Sequence, residues 1–382
     1  MNRIKRAKNK VTKVARNLLT LLAGLTLAFG VLILPASGLS EASRVDSGDK
    51  NPEKVSANSS SSLPASYSGM TAASAGLALK QGYFVVANDE DNILRVYSTR
   101  EPGIKYEFKL SKYFPSSIAD AGGKQKTDIE GVTKLGKYIF WIGSHSTNSD
   151  GERRDARFRL FAHKMKYTSA EGFVFTPVGQ PYTRLLDRLI QDCRFSKYNF
   201  AEALNKGSKE KGGLSIEGLS VSPDKKNLLI GFRNPVTNNM ALIVPLLNPM
   251  EVMQNGAQAS FGNPIELDLG SFGIRDLVWW KGGKRFLILA GPYHENAENK
   301  ERFRLYQWTG QPENKPQEVN TGSQLEGLTA EAIVIHPSSK ADTITLQILS
   351  DDEKAKNVPA NSFRSVWIEN FKVKNPDQEK KE

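Results

Sequence analysis

"TDIEGVTKLGKYIFWIGSHSTN", residues 127–148, sets a carboxylate, Glu130, directly before a glycine and two apolar runs of β-forming residues. "SIEGLSVSPDKKNLLIGFRNP", residues 215–235, repeats the arrangement with Glu217. Short alternating runs of Val, Ile, Phe, Tyr and Trp, separated by Gly, Asn and Asp, are the chemistry of strands joined by tight turns. An acid at the mouth of such a strand is costly unless the strand end opens onto a polar space. Two copies of that acid therefore raise a question of architecture.

Three weaker copies stand in register with these. "SAGLALKQGYFVVANDEDN" begins at Ser74, "GIRDLVWWKGGKRFLILAGPYHE" puts Arg275 in the glutamate's place, and "AEAIVIHPSSKADTITLQILSDDE" puts Glu331 there. A third apolar run follows most copies, as in "ILRVYS" at 93 and "FRLYQWTG" at 303. Taking Ala75, Glu130, Glu217, Arg275 and Glu331 as equivalent gives intervals of 55, 87, 58 and 56 residues. The long interval is read as an insertion within residues 166–214, carrying a short helix in "YTRLLDRLIQDC". Repeats of several antiparallel strands at a fixed period predict a β-propeller, because closing the ring leaves few free strand edges. The fold class expected is all-β, with five blades over residues 67–372, or six if the insertion adds strands. The innermost strands of a propeller line its central channel. A polar residue repeated at the start of each would form a ring on the axis, and Glu130, Glu217, Arg275, Glu331 and Ser74 are the expected members.

The ends of the chain are of another kind. Seven Lys or Arg precede "LLTLLAGLTLAFGVLILP", an uncharged apolar stretch from Leu18 to Pro35 followed by small residues. This is the layout of an export signal over residues 1–42, cleaved or retained as a membrane anchor. The protein is accordingly expected to be exported, touching a membrane only through this segment. Residues 43–66, rich in Ser, Asn and charge, read as a disordered linker, and 373–382 as a solvated tail. Removing residues 1–42 takes seven of the 52 Lys and Arg and one of the 41 Asp and Glu, so the formal charge falls from +11 to +5. No basic stripe with interleaved aromatics remains, which argues against nucleic acid. The lone Cys193 excludes an internal disulfide and is expected to be a small buried hydrophobe. A monomer is expected.

These residues resemble an uncharacterised bacterial family known as domain of unknown function 3616. The likeness spans roughly 68–368 through "VVANDEDNILRVY", "DIEGVTKLGKYIFWIGSHS", "GGLSIEGL", "LLIGFRNP", "ALIVPLLNP", "FGIRDL" and "FRLYQW". It implies the fold and its boundaries and brings no agreed activity. More distantly, the ring pattern is similar to calcium-activated nucleotidases of the apyrase type and to phytase-like propellers. That likeness implies an axial Ca2+ held by Glu130, Glu217, Glu331 and Ser74, with Arg275 as the departure.

Two readings of the ring follow. Three glutamates and a serine offer the core of the six to eight oxygens that Ca2+ takes. Alternatively, the Arg275 fork clamps two carboxylates into an ion-pair cluster, and this is the leading reading. Loops ending the second strands surround the ring. They bring Asp89 from "NDEDN", His145 from "GSHSTN" as a general base or ligand, Arg233 and Asn234 from "GFRNP" with Arg233 as an anion anchor, and Asp352 from "SDDE". No nucleophile elbow, zincin motif, P-loop or Rossmann glycine pattern occurs. The expected function is an exported propeller whose axial site binds a small anionic or polar ligand, through a divalent cation or without one, and hydrolyses a phosphate or carboxylic ester if it is an enzyme. The alternative is a non-catalytic propeller that binds a protein or glycan on a flat apolar face.

Overall fold

The computed structural model describes residues 43–44, 63, 65–110, 126–294, 302–338, 340 and 342–372. The expected signal, nearly all of the linker and the tail lie outside them. Of the linker, Ser43–Arg44 forms a two-residue strand against Ile104–Lys109. No helix among the described residues is long and apolar enough to cross a membrane.

Five antiparallel sheets follow one another around an axis. Blade 1 is built from Ala75–Ala78, Tyr83–Ala87, Ile93–Ser98 and Ile104–Lys109. Blade 2 comprises Ile129–Leu135, Tyr138–Gly143, Leu160–Thr168 and Gly172–Tyr182, and blade 3 Ser215–Val221, Leu228–Asn234, Met240–Leu246 and Ile265–Asp268. Gly273–Trp280, Arg285–Gly291, Arg304–Trp308 and Gln317–Val319 make blade 4. Blade 5 takes Ala330–Pro337, Ile344–Ser350 and Ser362–Phe371 from the end of the fold and Ser66–Ser68 from its beginning. The first strand in sequence thus completes the last sheet. The first strand of each blade touches the first strand of its neighbours all the way round, so the ring is closed with five blades.

The core lies between blades. Five apolar clusters fill the five interfaces, with Trp141 packed between blades 1 and 2, Phe232 between 2 and 3, and Trp308 between 3 and 4. A stack of Tyr67, Phe84, Tyr97 and Phe363 seals blade 5 to blade 1. Both faces of the second strands of the blades are covered, which explains why Tyr83–Ala87 and Tyr138–Gly143 are apolar at successive positions and not only at alternate ones. Within blade 2 a two-residue hairpin at Gly136 and Lys137 joins Leu135 to Tyr138, and Gly136 adopts φ 62° as such a turn requires.

The insertion is shorter than the sequence suggests. Residues up to Tyr182 belong to blade 2, and the inserted segment then folds as Leu185–Gln191, Cys193–Tyr198 and Phe200–Ala203. Leu185, Leu189, Phe195 and Phe200 bury their side chains in the core between blades 2 and 3. Cys193 is exposed instead of buried, because the apolar face of this segment is carried by those residues and the thiol turns outward.

Glycine follows the repeated acid because blades meet there. A Cβ on Gly131 would lie 2.9 Å from the Leu219 Cβ and 3.2 Å from its backbone nitrogen in blade 3, and one on Gly218 would lie 2.9 Å from Ile274 in blade 4. Gly131→Ala should therefore overpack the contact of two inner strands and cost about 1–3 kcal/mol, read as a lower denaturant midpoint at unchanged slope. An unchanged midpoint would mean that blades 2 and 3 can move apart freely.

Candidate functional site

Four inner strands carry a β-bulge at the position the repeat singles out. Ile129 pairs with Gly143 and Gly131 with Ile142, so Glu130 is the extra residue. The same break falls at Glu217, Arg275 and Glu331. A bulge removes one residue from the ladder and re-aims its side chain, here towards the axis. Blade 1 pairs Ala75 with Ala87 and Gly76 with Val86 without a break. Ser74 is buried before that strand, donates its N–H to the Ala87 carbonyl at 3.1 Å, and is not among the residues lining the axial cavity.

The ring divides into a neutralised part and an acidic part. Arg275, 5% exposed, places Nε 3.0 Å from Glu217 Oε2 and Nη2 against Glu331 Oε1. A second bulge in blade 3, between the Ser215–Asn234 and Ile216–Phe232 pairs, makes Arg233 an extra residue, and its Nη1 donates to Glu217 Oε1 at 3.0 Å. Burial lowers the Arg275 pKa to about 10, aided by the Arg233 charge and opposed by Glu217 and Glu130. Glu217 is thus engaged by both Arg275 and Arg233, and Glu331 by Arg275. Arg233 is also not a free anion anchor, since Glu217 and the Pro292 carbonyl, 3.1 Å from its Nε, occupy it.

Glu130 makes no salt bridge among the described residues. Its carboxylate converges instead with Asp89 of blade 1 and Asp128, two residues earlier, with ligand oxygens of all three within 4.8 Å of one another. Asp128 sits at φ 54°, a left-handed conformation that Asp tolerates better than most residues. Its Oδ2 accepts from the Ser144 hydroxyl and lies 3.3 Å from Arg157 Nη1. Asp89 Oδ1 is buried without a hydrogen-bond partner among the described residues. The consequence is electrostatic. Burial, then Glu217, Asp128 and Asp89, hold the Glu130 carboxyl well above the usual range. Burial, then Asp128 and Asp351, do the same for Asp89. Asp351 is raised chiefly by burial.

These carboxylates floor a polar cavity of about 700 Å³ at the axis, with walls from blades 1, 2, 3 and 5 and from residues 207–210 of the insertion. A larger groove of about 1080 Å³ lies outside blade 4 beside Arg304 and Leu325 and gathers no such cluster. Large exposed hydrophobics among the described residues are limited to Ile190 and Leu247, and neither lines the cavity.

Several expected site residues have other duties. His145 is fully buried at φ 52°, with Nδ1 2.9 Å from the Gly143 carbonyl and its ring edge-on to Phe158. It does not line the cavity, and its contacts anchor the "GSHS" loop. Asn234, also fully buried, donates from Nδ2 to the carbonyls of Ser208 and Glu210 at 3.2 and 2.7 Å. Asp352 is held by Arg364 through paired bonds and by the Ser350 hydroxyl. Asp128 is the carboxylate of this cluster that sequence reasoning did not single out. The signal for Asp128 was the acid two places before Glu130 in "TDIEG".

A family model described as "Protein of unknown function (DUF3616)" matches residues 73–164 and 177–358. A comparison with curated proteins gives no match. Among solved structures, the chain is similar to the PQQ-bound aldose sugar dehydrogenase of Streptomyces coelicolor at 11% identity, covering 81% of this chain and 99% of that one with a TM-score of 0.40. It is also similar to the major Malassezia sympodialis allergen Mala s 1 at 10% identity, covering 80% and 96%, with a TM-score of 0.45. Likeness at this level carries no argument about chemistry.

Burial holds the His145 pKa down at about 4, against 6.5 for a free histidine. The folded state therefore keeps this ring neutral, and its contribution is complete above pH 6.5 and lost as pH falls through about 4. His145→Asn retains a donor for the Gly143 carbonyl and suits the left-handed backbone. Denaturation between pH 7 and 4 should show the variant losing less stability, by on the order of 2–3 kcal/mol. Equal losses would mean that His145 is not buried as a neutral ring.

Proposed function

Because the chain belongs to the family described as protein of unknown function DUF3616, a description that assigns no chemistry, we propose a function from the geometry of the axis: a ligand-binding β-propeller in which Asp89, Asp128 and Glu130 hold a divalent cation that helps to fix a small anionic ligand. The observation that carries this reading is the convergence of three carboxylates, of which only Asp128 meets an arginine, Arg157 at 3.3 Å, around an Asp89 Oδ1 that has no hydrogen-bond partner among the described residues. Like charges at such range raise one another's proton affinity until a proton or a cation relieves them. An all-oxygen set suits Ca2+ in particular, and the Ser146 hydroxyl lines the same cavity. The donors do not suit zinc, since His145 faces the core and Cys193 lies on the insertion, away from the cavity.

A cation bound here would supply a positive centre facing the cavity, and this chain's residues would shape what reaches it. Asp128 is oriented by the Ser144 hydroxyl, and Arg157, tied to Asp128, to the Ser146 hydroxyl and to the Thr147 carbonyl, fixes the wall beside it. Glu217, engaged by Arg233 and Arg275, stays out of the coordination sphere in this reading.

Calorimetric titration with Ca2+ at pH 8 and pH 6 tests the proposal. Binding is expected at pH 8 and should weaken at pH 6, because protons compete for Asp89 and Glu130, whose carboxyls are raised. Asp128→Asn and Glu130→Gln should each weaken it by about ten-fold or more, whereas Glu217→Gln should leave it in place while lowering the melting temperature. No heat at either pH, with no Ca2+-dependent change in melting, would remove the cation from the reading.

A further inference from the structure

Five cationic side chains line the axial cavity, and they are not equivalent. Arg157 is paired with Asp128, Arg233 with Glu217 and Arg364 with Asp352. Lys209 and Lys354 form no salt bridge among the described residues, although acids surround them. They come from opposite sides, Lys209 from the insertion between blades 2 and 3 and Lys354 from the loop after the second strand of blade 5.

Lys209 is carried by an anchored loop. Asn234 Nδ2 bonds the carbonyls of Ser208 and Glu210, the two residues that flank Lys209. The Thr147 hydroxyl donates to the Lys206 carbonyl, and Glu210 closes the loop by accepting from the Gly207 N–H at 3.1 Å through its carboxylate and from the Gly213 N–H at 3.0 Å through its carbonyl. The bonds run to the core of the propeller: Asn234 has no solvent exposure, and Thr147 has 1%. Fixing a loop in this way carries an ordering cost in conformational entropy, and its result is to hold Lys209, which has no salt bridge among the described residues, beside an acidic cavity. The field of Lys209 reaches the floor, where it lowers the proton affinity of Asp351 against the effect of burial.

We infer that the insertion carries the recognition element of this site: Lys209, positioned by Asn234 and faced by Lys354, takes an oxyanion group of the ligand, a phosphate or a carboxylate, above the carboxylate floor. This deepens the proposed function and rests on reading the cavity as a ligand site, though it does not require the cation itself. Lys209 and Lys354 are exposed, whereas Asp128 is buried and Asp89 and Glu130 are half-buried, so an oxyanion near the opening meets ammonium groups and one deeper in the cavity would meet those carboxylates. The ligand is therefore one with its negative charge at the mouth end and a cation-linked or neutral end towards the axis. Asn234 is a positioning residue in this scheme, acting through the loop and touching no ligand.

The test is equilibrium binding of inorganic phosphate and of succinate to the whole protein, each with and without Ca2+, measured by calorimetry for wild type, Lys209→Ala, Lys209→Arg and Asn234→Ala. Lys209→Ala alters only an exposed side chain and should fold normally. It is expected to weaken binding of at least one probe by about ten-fold or more, with Lys209→Arg restoring most of it. Asn234→Ala should weaken the same probe and also speed tryptic cleavage of the loop, which separates positioning from contact. Probe binding that is equal in wild type and Lys209→Ala overturns the inference, as does absence of binding by either probe. If Ca2+ binds normally in that case, the proposed function stands without this recognition element. If a probe binds through Lys209 and Ca2+ gives no heat, the recognition element stands and the cation falls.

Discussion

The guanidinium of Arg275, wedged between the carboxylates of Glu217 and Glu331 with almost no solvent contact, is the interaction on which the rest of the axis depends. A buried cation of this kind is tolerable only with partners on more than one side. Two of the three ring glutamates are consumed in providing them, with Arg233 completing the neutralisation of Glu217. What remains is Glu130, displaced towards Asp89 and Asp128 and lacking an arginine. The asymmetry of the cavity follows from this arithmetic of charge. Blades 3, 4 and 5 close their part of the channel with ion pairs, and blades 1 and 2 present Asp89 and Glu130, which form no salt bridge among the described residues, beside an Asp128 that shares Arg157.

Backbone geometry makes this arrangement available. A regular ladder would send Glu130, Glu217, Arg275 and Glu331 into the sheet-to-sheet interfaces, where their charges would meet Leu, Ile and Phe. Setting each one aside in a bulge lets the strand keep its apolar faces and still deliver a charged group to the axis. The residue that follows then comes close to the neighbouring blade. That place is held by Gly76, Gly131, Gly218 and Ala332, and in blade 4 by Asp276, whose carboxylate accepts the Ile333 N–H of blade 5 at 2.7 Å. The Glu-Gly pairing in the sequence is thus two constraints side by side, one on charge and one on space.

How much of this was legible depends on whether the cause is local. Strand alternation and the recurring Glu-Gly pair are local, and they gave the blade order, the five-fold count and the axial placement of residues 130, 217, 275 and 331. Whether Arg275 displaces a metal or coexists with one is a question of which carboxylates it reaches, and the chain holds those 58 and 56 residues away. His145 and Asn234 look like loop residues facing outward, because nothing in "GSHS" or "GFRNP" tells which way a side chain turns. Their partners, Gly143 in one case and the carbonyls of 208 and 210 in the other, are set by tertiary packing. The strand Ser66–Ser68 escaped notice for a related reason. Three residues with one aromatic carry no periodicity, and its identity as a strand comes from Arg364, Phe363 and Ser362 opposite.

That borrowed strand ties the order of synthesis to the order of assembly. Tyr67 leaves the ribosome nearly three hundred residues before Phe363, so blades 1 to 4 can pair internally while the seal between the two ends waits for the whole chain. Contacts of such long sequence separation form late because loop-closure entropy must be met first. During that interval Tyr67 and the exposed flank of blade 1 are an open apolar edge, a state in which a chaperone or a neighbouring chain competes with the protein's own C-terminal sheet.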